Sequence, residues 1–196
     1  LSKLGQFDTV TVGRSGGTGS ITVGALALSA DTRFVADSAT VGFTGAVTGA
    51  EALTVTSAGA TTFGSTVSTA SLSVAGTGGV TVDGGSVTTT GAQTYAGTVT
   101  LGNDTTFSGT AVSFDNASTP LAAAGNDLTL RTRALSFGAG ALTGGAGATA
   151  SVGGFADADT VSVATTTVGT ANFSQADVTK LGGFDTLSIG RANGSG

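Results

Sequence analysis

The sequence has 196 residues, among them 34 glycines, a single proline and no Cys, His, Met or Trp. Charged residues make up 10% of it, the formal net charge is −5 and the mean hydropathy is +0.34. Disulfide frameworks, zinc sites and thiol or imidazole catalysis are therefore excluded. The chain also lacks the low hydropathy and high net charge of disordered sequences. Seven basic residues against twelve acidic ones give little hold on a phosphate backbone, so no nucleic-acid partner is expected.

The chain begins at Leu1 without a charged-then-apolar leader, and it is expected to be an internal stretch of something longer. No apolar run approaches the roughly 18 residues of a membrane helix, so no membrane insertion is expected in this segment. From there the dominant signal is the x-V-x-V pair, with Thr or Ser between the apolar positions. In chain order these pairs are Val10/Val12, Ile21/Val23, Val41/Phe43, Leu53/Val55, Leu72/Val74 and Val80/Val82. Val99/Leu101, Val112/Phe114, Leu128/Leu130, Leu135/Phe137, Val161/Val163 and Leu187/Ile189 complete the series. Each predicts a short strand, and Gly-rich or Asn-Asp steps predict turns between them.

Near the end the pattern changes. Ser174 is placed to N-cap a short helix, Asp177 stands at its third position as in a capping box, and Gly182–Gly183 ends it. Phe173, Val178 and Leu181 are expected to face a β core. Leu1 to Gly5 would be the tail of an equivalent helix.

That last expectation comes from an internal repeat. Lys3, Phe7, Asp8 and Arg14 align with Lys180, Phe184, Asp185 and Arg191 at a constant offset of 177 residues. Biased composition readily produces chance matches in Gly and Thr, but not in scarce Lys, Phe, Asp and Arg in one register. Residues 1–177 thus read as one repeat unit and 178–196 as the start of the next.

A finer period lies inside the repeat. Ile21 to Val41, Leu53 to Leu72 and Val80 to Val99 are separated by 19 or 20 residues. This spacing suits a solenoid coil with two or three strands per turn. At about 20 residues per coil the repeat would hold about nine coils and span roughly 43 Å. A sandwich of antiparallel strands would carry aromatic core residues and a charged exterior. The scarcity of both favours a thin parallel β-solenoid whose narrow core is filled by Val on Val and Thr on Thr.

The stretch Thr90-Gly-Ala-Gln-Thr-Tyr-Ala-Gly-Thr-Val-Thr-Leu-Gly-Asn-Asp-Thr-Thr-Phe107 resembles a motif of giant bacterial surface proteins of the filamentous-haemagglutinin-like, "β-strand repeat" type. The unit from Phe173 through the short helix to Gly196 resembles it too. The resemblance implies a right-handed parallel β-helix, exported and displayed as a long fibre at the bacterial cell surface.

Candidate sites are few. Asp8 and Arg14, repeated as Asp185 and Arg191, suggest either a ligand contact or an Asp–Arg pair marking the repeat boundary. Asp157 and Asp159 are spaced to ligate Ca²⁺ or to act as an acid pair, against solvated turn aspartates as the plain alternative. The Thr-x-Thr pieces at Thr9/Thr11, Thr54/Thr56 and Thr98/Thr100 read as strand formers. No catalytic residue, cofactor or resident metal is expected.

The function expected from the sequence is therefore structural: one repeat of an extracellular fibre or adhesin that attaches or assembles. Its partners would be itself, as tandem or head-to-tail copies, and cell-surface glycans or the surface of a host or partner cell. The alternative is a polysaccharide-binding or polysaccharide-cleaving β-helix domain.

Overall fold

Alternating Val and Thr make strands here because a pleated chain sends successive side chains to opposite faces. In Val80–Val82 both valines are buried and Thr81 is partly exposed between them. The structure, a computed structural model, describes residues 7–163 and 169–190. Lys3, Arg191 and the Leu1–Gly5 helix tail lie outside the described residues.

The chain winds through three faces in a fixed order, A, B and C. The first turn holds β1 (Thr9–Gly13), β2 (Ile21–Val23) and β3 (Leu26–Ala27), and the second β4 (Asp31–Asp37), β5 (Val41–Phe43) and β6 (Val47–Thr48). The third holds β7 (Ala52–Ser57), β8 (Thr61–Phe63) and β9 (Val67–Thr69), and the fourth β10 (Ser71–Val74), β11 (Val80–Val82) and β12 (Ser86–Thr89). Next come β13 (Ala92–Tyr95), β14 (Val99–Leu101) and β15 (Thr105–Ser108), then β16 (Ala111–Phe114), β17 (Leu121–Ala122) and β18 (Leu128–Arg131). The seventh turn has β19 (Ala134–Phe137), a single bridge from Thr143 to Ala122, and β20 (Gly145–Gly153). The described chain ends with β21 (Val161–Val163), β22 (Ala171–Phe173), α1 (Gln175–Lys180), a 3-10 turn over Leu181–Gly183 and β23 (Phe184–Ile189).

Every named strand pairing is parallel, and the result is a β-solenoid of about 7 turns with a spacing near 21 residues. All twelve x-V-x-V pairs fall in strands. On face B, Ile21 pairs with Val41, Val41 with Thr61, Thr61 with Val80 and Val80 with Val99. The last turn is longer: Ala134 pairs with Asn172 and Ala150 with Leu187. The additional residues include β21, which lies beyond β22 at the edge of face A. The 177-residue offset therefore spans seven turns and two further faces, fewer than the nine coils expected from the sequence.

The core also differs from that expectation. Its largest fully buried side chains are aromatic: Tyr95, Phe43, Phe63, Phe107, Phe114 and Phe173. Phe43 stacks on Phe63 at 5.1 Å, and Phe114 lies between Tyr95 at 5.3 Å and Phe137 at 5.5 Å. In-register parallel stacking puts like rings one layer apart, so ten phenylalanines suffice to build aromatic ladders. Leucines such as Leu53, Leu72, Leu101 and Leu130 fill the rest together with valines and alanines.

Buried threonines line the corner from face C to face A. The Thr69, Thr89 and Thr132 hydroxyls donate to the carbonyls of Ser71, Gly91 and Ala134 at 3.2, 2.8 and 2.8 Å. Between Thr89 and Thr132 the ladder is interrupted by Gly109, where a Cβ would come within 2.6 Å of Thr89 Oγ1 and 3.3 Å of Gln93 Nε2. The missing side chain makes room for the buried Gln93 amide. Its Nε2 donates to Ser108 O at 2.8 Å and Val87 O at 3.0 Å, and its Oε1 accepts from the Tyr95 hydroxyl at 3.0 Å.

The helix forms as its capping residues predict. Ser174 Oγ accepts from the Asp177 amide at 3.0 Å, and Val178 and Leu181 are buried beneath it. It stacks beside the seventh turn, in the place of the next face-B strand. There Phe137 N donates to Asp177 Oδ1 at 3.1 Å, and Lys180 Nζ donates to Phe137 O at 2.9 Å and Gly138 O at 2.6 Å.

Candidate functional site

The outward rows of the solenoid are hydroxyl-bearing and almost uncharged. On face A, Thr54, Ser73, Thr94, Ser113 and Ser136 stand in register. On face C, Ser86, Thr106, Thr129, Ser151 and Ser188 do the same. Such rows offer weak donors and acceptors, and in the face-A row the Ser113 hydroxyl donates to Asp115 Oδ1.

Charge gathers at one corner. Arg131 ends β18 and Arg133 follows it; one layer on, the turn after β20 carries Asp157 and Asp159. Arg131 Nη2 meets Asp157 Oδ1 at 3.0 Å, and Arg133 Nε meets both Asp159 carboxylate oxygens at 3.1 Å. The two pairs differ in setting. The Asp157 side chain is 90% exposed and that of Asp159 only 5%. Asp159 Oδ2 also accepts from Ala156 N at 2.8 Å, which closes the turn, and Arg133 lies over the Phe155 ring at 5.5 Å. The Ala156 amide, and after it the Arg133 guanidinium and the Thr170 hydroxyl, hold Asp159 below the usual aspartate range against an opposing effect of burial.

The aspartates singled out for calcium thus lie in a turn, each against its own arginine. Among the described residues no three carboxylates converge where they would hold a metal ion. Sequence reasoning missed the arginines. The signal was there in two matched i, i+2 pairs, 131/133 and 157/159, but the long last turn set them 26 residues apart instead of one coil.

The repeat-boundary residues do separate jobs. Lys180 anchors the helix, as above. Asp185 Oδ2 accepts from Gly147 N at 2.6 Å, which ties β23 to β20. Phe184 is buried and Phe7 is 59% exposed. Arg14 bonds through its backbone, with N donating to Val35 O at 3.1 Å. Asp8 and Arg14 form no ion pair; among the described residues the ion pairs are the two at the Arg131–Arg133 corner.

A shallow depression of about 200 Å³ lies over Thr9, Asp31, Thr32, Arg33, Ala52 and Thr54. Its carboxylate, Asp31, accepts from Ala52 N at 2.9 Å. No helix among the described residues is long and apolar enough to cross a membrane.

Fold and surface together define a β-solenoid repeat protein. Comparison with protein-family models, with curated proteins and with solved structures returned no match.

Proposed function

We propose that the chain is a structural repeat of an extracellular bacterial fibre, a β-solenoid that extends from the cell and serves surface attachment or filament assembly. One observation carries this reading: the segment that opens the solenoid recurs 177 residues later as its last strand, so the coil has the means to continue from copy to copy. The resemblance to filamentous-haemagglutinin-like proteins in Thr90–Phe107 points the same way. Neutral hydroxyl rows, repeated along a rod, suit many weak contacts acting together with glycans or with other fibres.

Antibodies against the 196-residue chain test the reading on intact cells of the source organism. Immunogold on protruding rods is expected. Labelling that appears only after the cells are permeabilised overturns it.

A further inference from the structure

The repeated segment sits on different faces in its two copies. β1 lies on face A and pairs with β4, Thr9 opposite Asp31. Its equivalent, Thr186–Ile189 within β23, lies on face C and pairs with β20, Ala150 opposite Leu187. Among the described residues each is the last strand of its sheet, with no further strand on the side where the other is paired.

We infer that successive copies join by sharing this strand, so that face A of one copy continues face C of the copy before it and the rod turns by one face per repeat. This rests on the tandem array proposed above. Two observations on the joint itself support it.

The first is backbone polarity. In a parallel ladder, alternate residues of a strand bond to opposite neighbours. Arg14 N donates to Val35 O on the β4 side, at 3.1 Å. Gly190, which corresponds to Gly13, donates through N to Val152 O on the β20 side, at 2.9 Å. Neighbouring positions of one segment therefore face opposite ways, and a single strand satisfies β20 and β4 at once.

The second is burial. Phe7 is 59% exposed, yet its equivalent Phe184 is buried at 7%. Leu187 and Ile189 are 38% and 40% exposed, yet their equivalents Val10 and Val12 are partly covered beneath β4. Three of the four large apolar residues exposed among the described ones thus belong to the repeated segment. In the copy where the missing layer is present the equivalent of Phe7 is buried and those of Leu187 and Ile189 are partly covered. The fourth, Val163 at 36%, lies on β21. That strand holds the edge of face A where the following copy's β2 belongs. Ile21-Thr-Val23 has the same apolar–hydroxyl–apolar pattern as Val161-Ser-Val163, and it takes that place when β21 leaves.

The test is a chain made of the 196 residues followed twice by residues 20–196, which keeps the 177-residue offset, imaged by cryo-electron microscopy. The expected result is a continuous rod that rises roughly 37 Å per copy and rotates by about 120° beyond its own twist. The second copy's Ile21–Val23 should lie against Ala171–Phe173 of the first. A continuous rod with like faces aligned overturns the inference and leaves the fibre reading standing. Separate beads on linkers overturn both.

Discussion

The Tyr95 hydroxyl donates to Gln93 Oε1 at 3.0 Å in the middle of the solenoid core. Gln93 occupies the slot that Leu72 and Val112 fill in the adjacent turns. A polar side chain is stable there because each of its hydrogen-bonding groups finds a partner, and burial raises the Tyr95 pKa well above its usual value. Gln93→Leu should leave the buried hydroxyl without an acceptor and cost about 2–3 kcal/mol in urea unfolding. Adding Tyr95→Phe should recover about 1 kcal/mol of that loss, a coupling that a double-mutant cycle measures.

Gly109 is bound to the same network by its lack of a side chain. A Cβ there would meet Thr89 Oγ1 at 2.6 Å and Gly91 O at 2.8 Å. Gly109→Ala is expected to destabilise by about 1–3 kcal/mol, read as a lower denaturation midpoint at constant m-value.

At the corner turn, Arg133→Ala should cost more than Arg131→Ala. Arg131 meets an exposed carboxylate, a contact worth roughly 0–1 kcal/mol. Arg133 serves a nearly buried one and stacks on Phe155 as well. The pH dependence has a definite sign. Asp159 titrates below its unfolded value, so its contribution is present above the unfolded pKa and is lost as pH falls through the folded one. The stability gap between the native chain and Asp159→Asn should therefore be constant near neutrality and close in acid.

Gly13 has φ +88°, and a Cβ on it would lie 2.0 Å from Val35 O. Gly13→Ala should break the β1–β4 ladder while the inner turns hold. Hydrogen exchange should accelerate at residues 9–14, with little change in the global unfolding midpoint, because edge layers of a solenoid open independently.

The helix gives a further test. Asp177 and Lys180 hold the peptides at Phe137 and Gly138 from either end of one helical turn. Asp177→Ala keeps the Ser174 cap on its backbone amide but removes the carboxylate that accepts from Phe137 N and Ser174 Oγ, and should lower stability by about 1–2 kcal/mol. Lys180→Met keeps the stem and removes only the charged donor, so it should cost less in the same unfolding measurement.

Most strands of faces A and B were legible because they carry two apolar residues around a small one, as Leu72-Ser-Val74 and Val80-Thr-Val82 do, whereas β4, β8, β13, β17 and β22 fell outside that series. Face C was mostly hidden. Val47-Thr48, Val67-Ser-Thr69 and Ser86-Val-Thr-Thr89 offer one Val each, and the last two bury a Thr, Thr69 or Thr89, in place of a second apolar residue. A threonine whose hydroxyl bonds to a corner carbonyl does the work of a valine, and no hydropathy pattern distinguishes it. The helix was readable from Ser174, Asp177 and Gly182–Gly183 because capping is local. The partners of Asp157 and Asp159 were not readable, since pairing across layers depends on how many residues each turn consumes.

The direction of the strand-to-strand hydrogen bonds has a mechanical consequence. In a parallel solenoid they run along the axis, so tension applied to the ends falls on each layer in series. Peeling one turn gives up about 5 Å of stacked height and releases about 20 residues, which reach roughly 65–70 Å when drawn out. Such a rod, pulled beyond its yield force, would lengthen more than tenfold for each turn lost and absorb a sudden load without breaking a covalent bond.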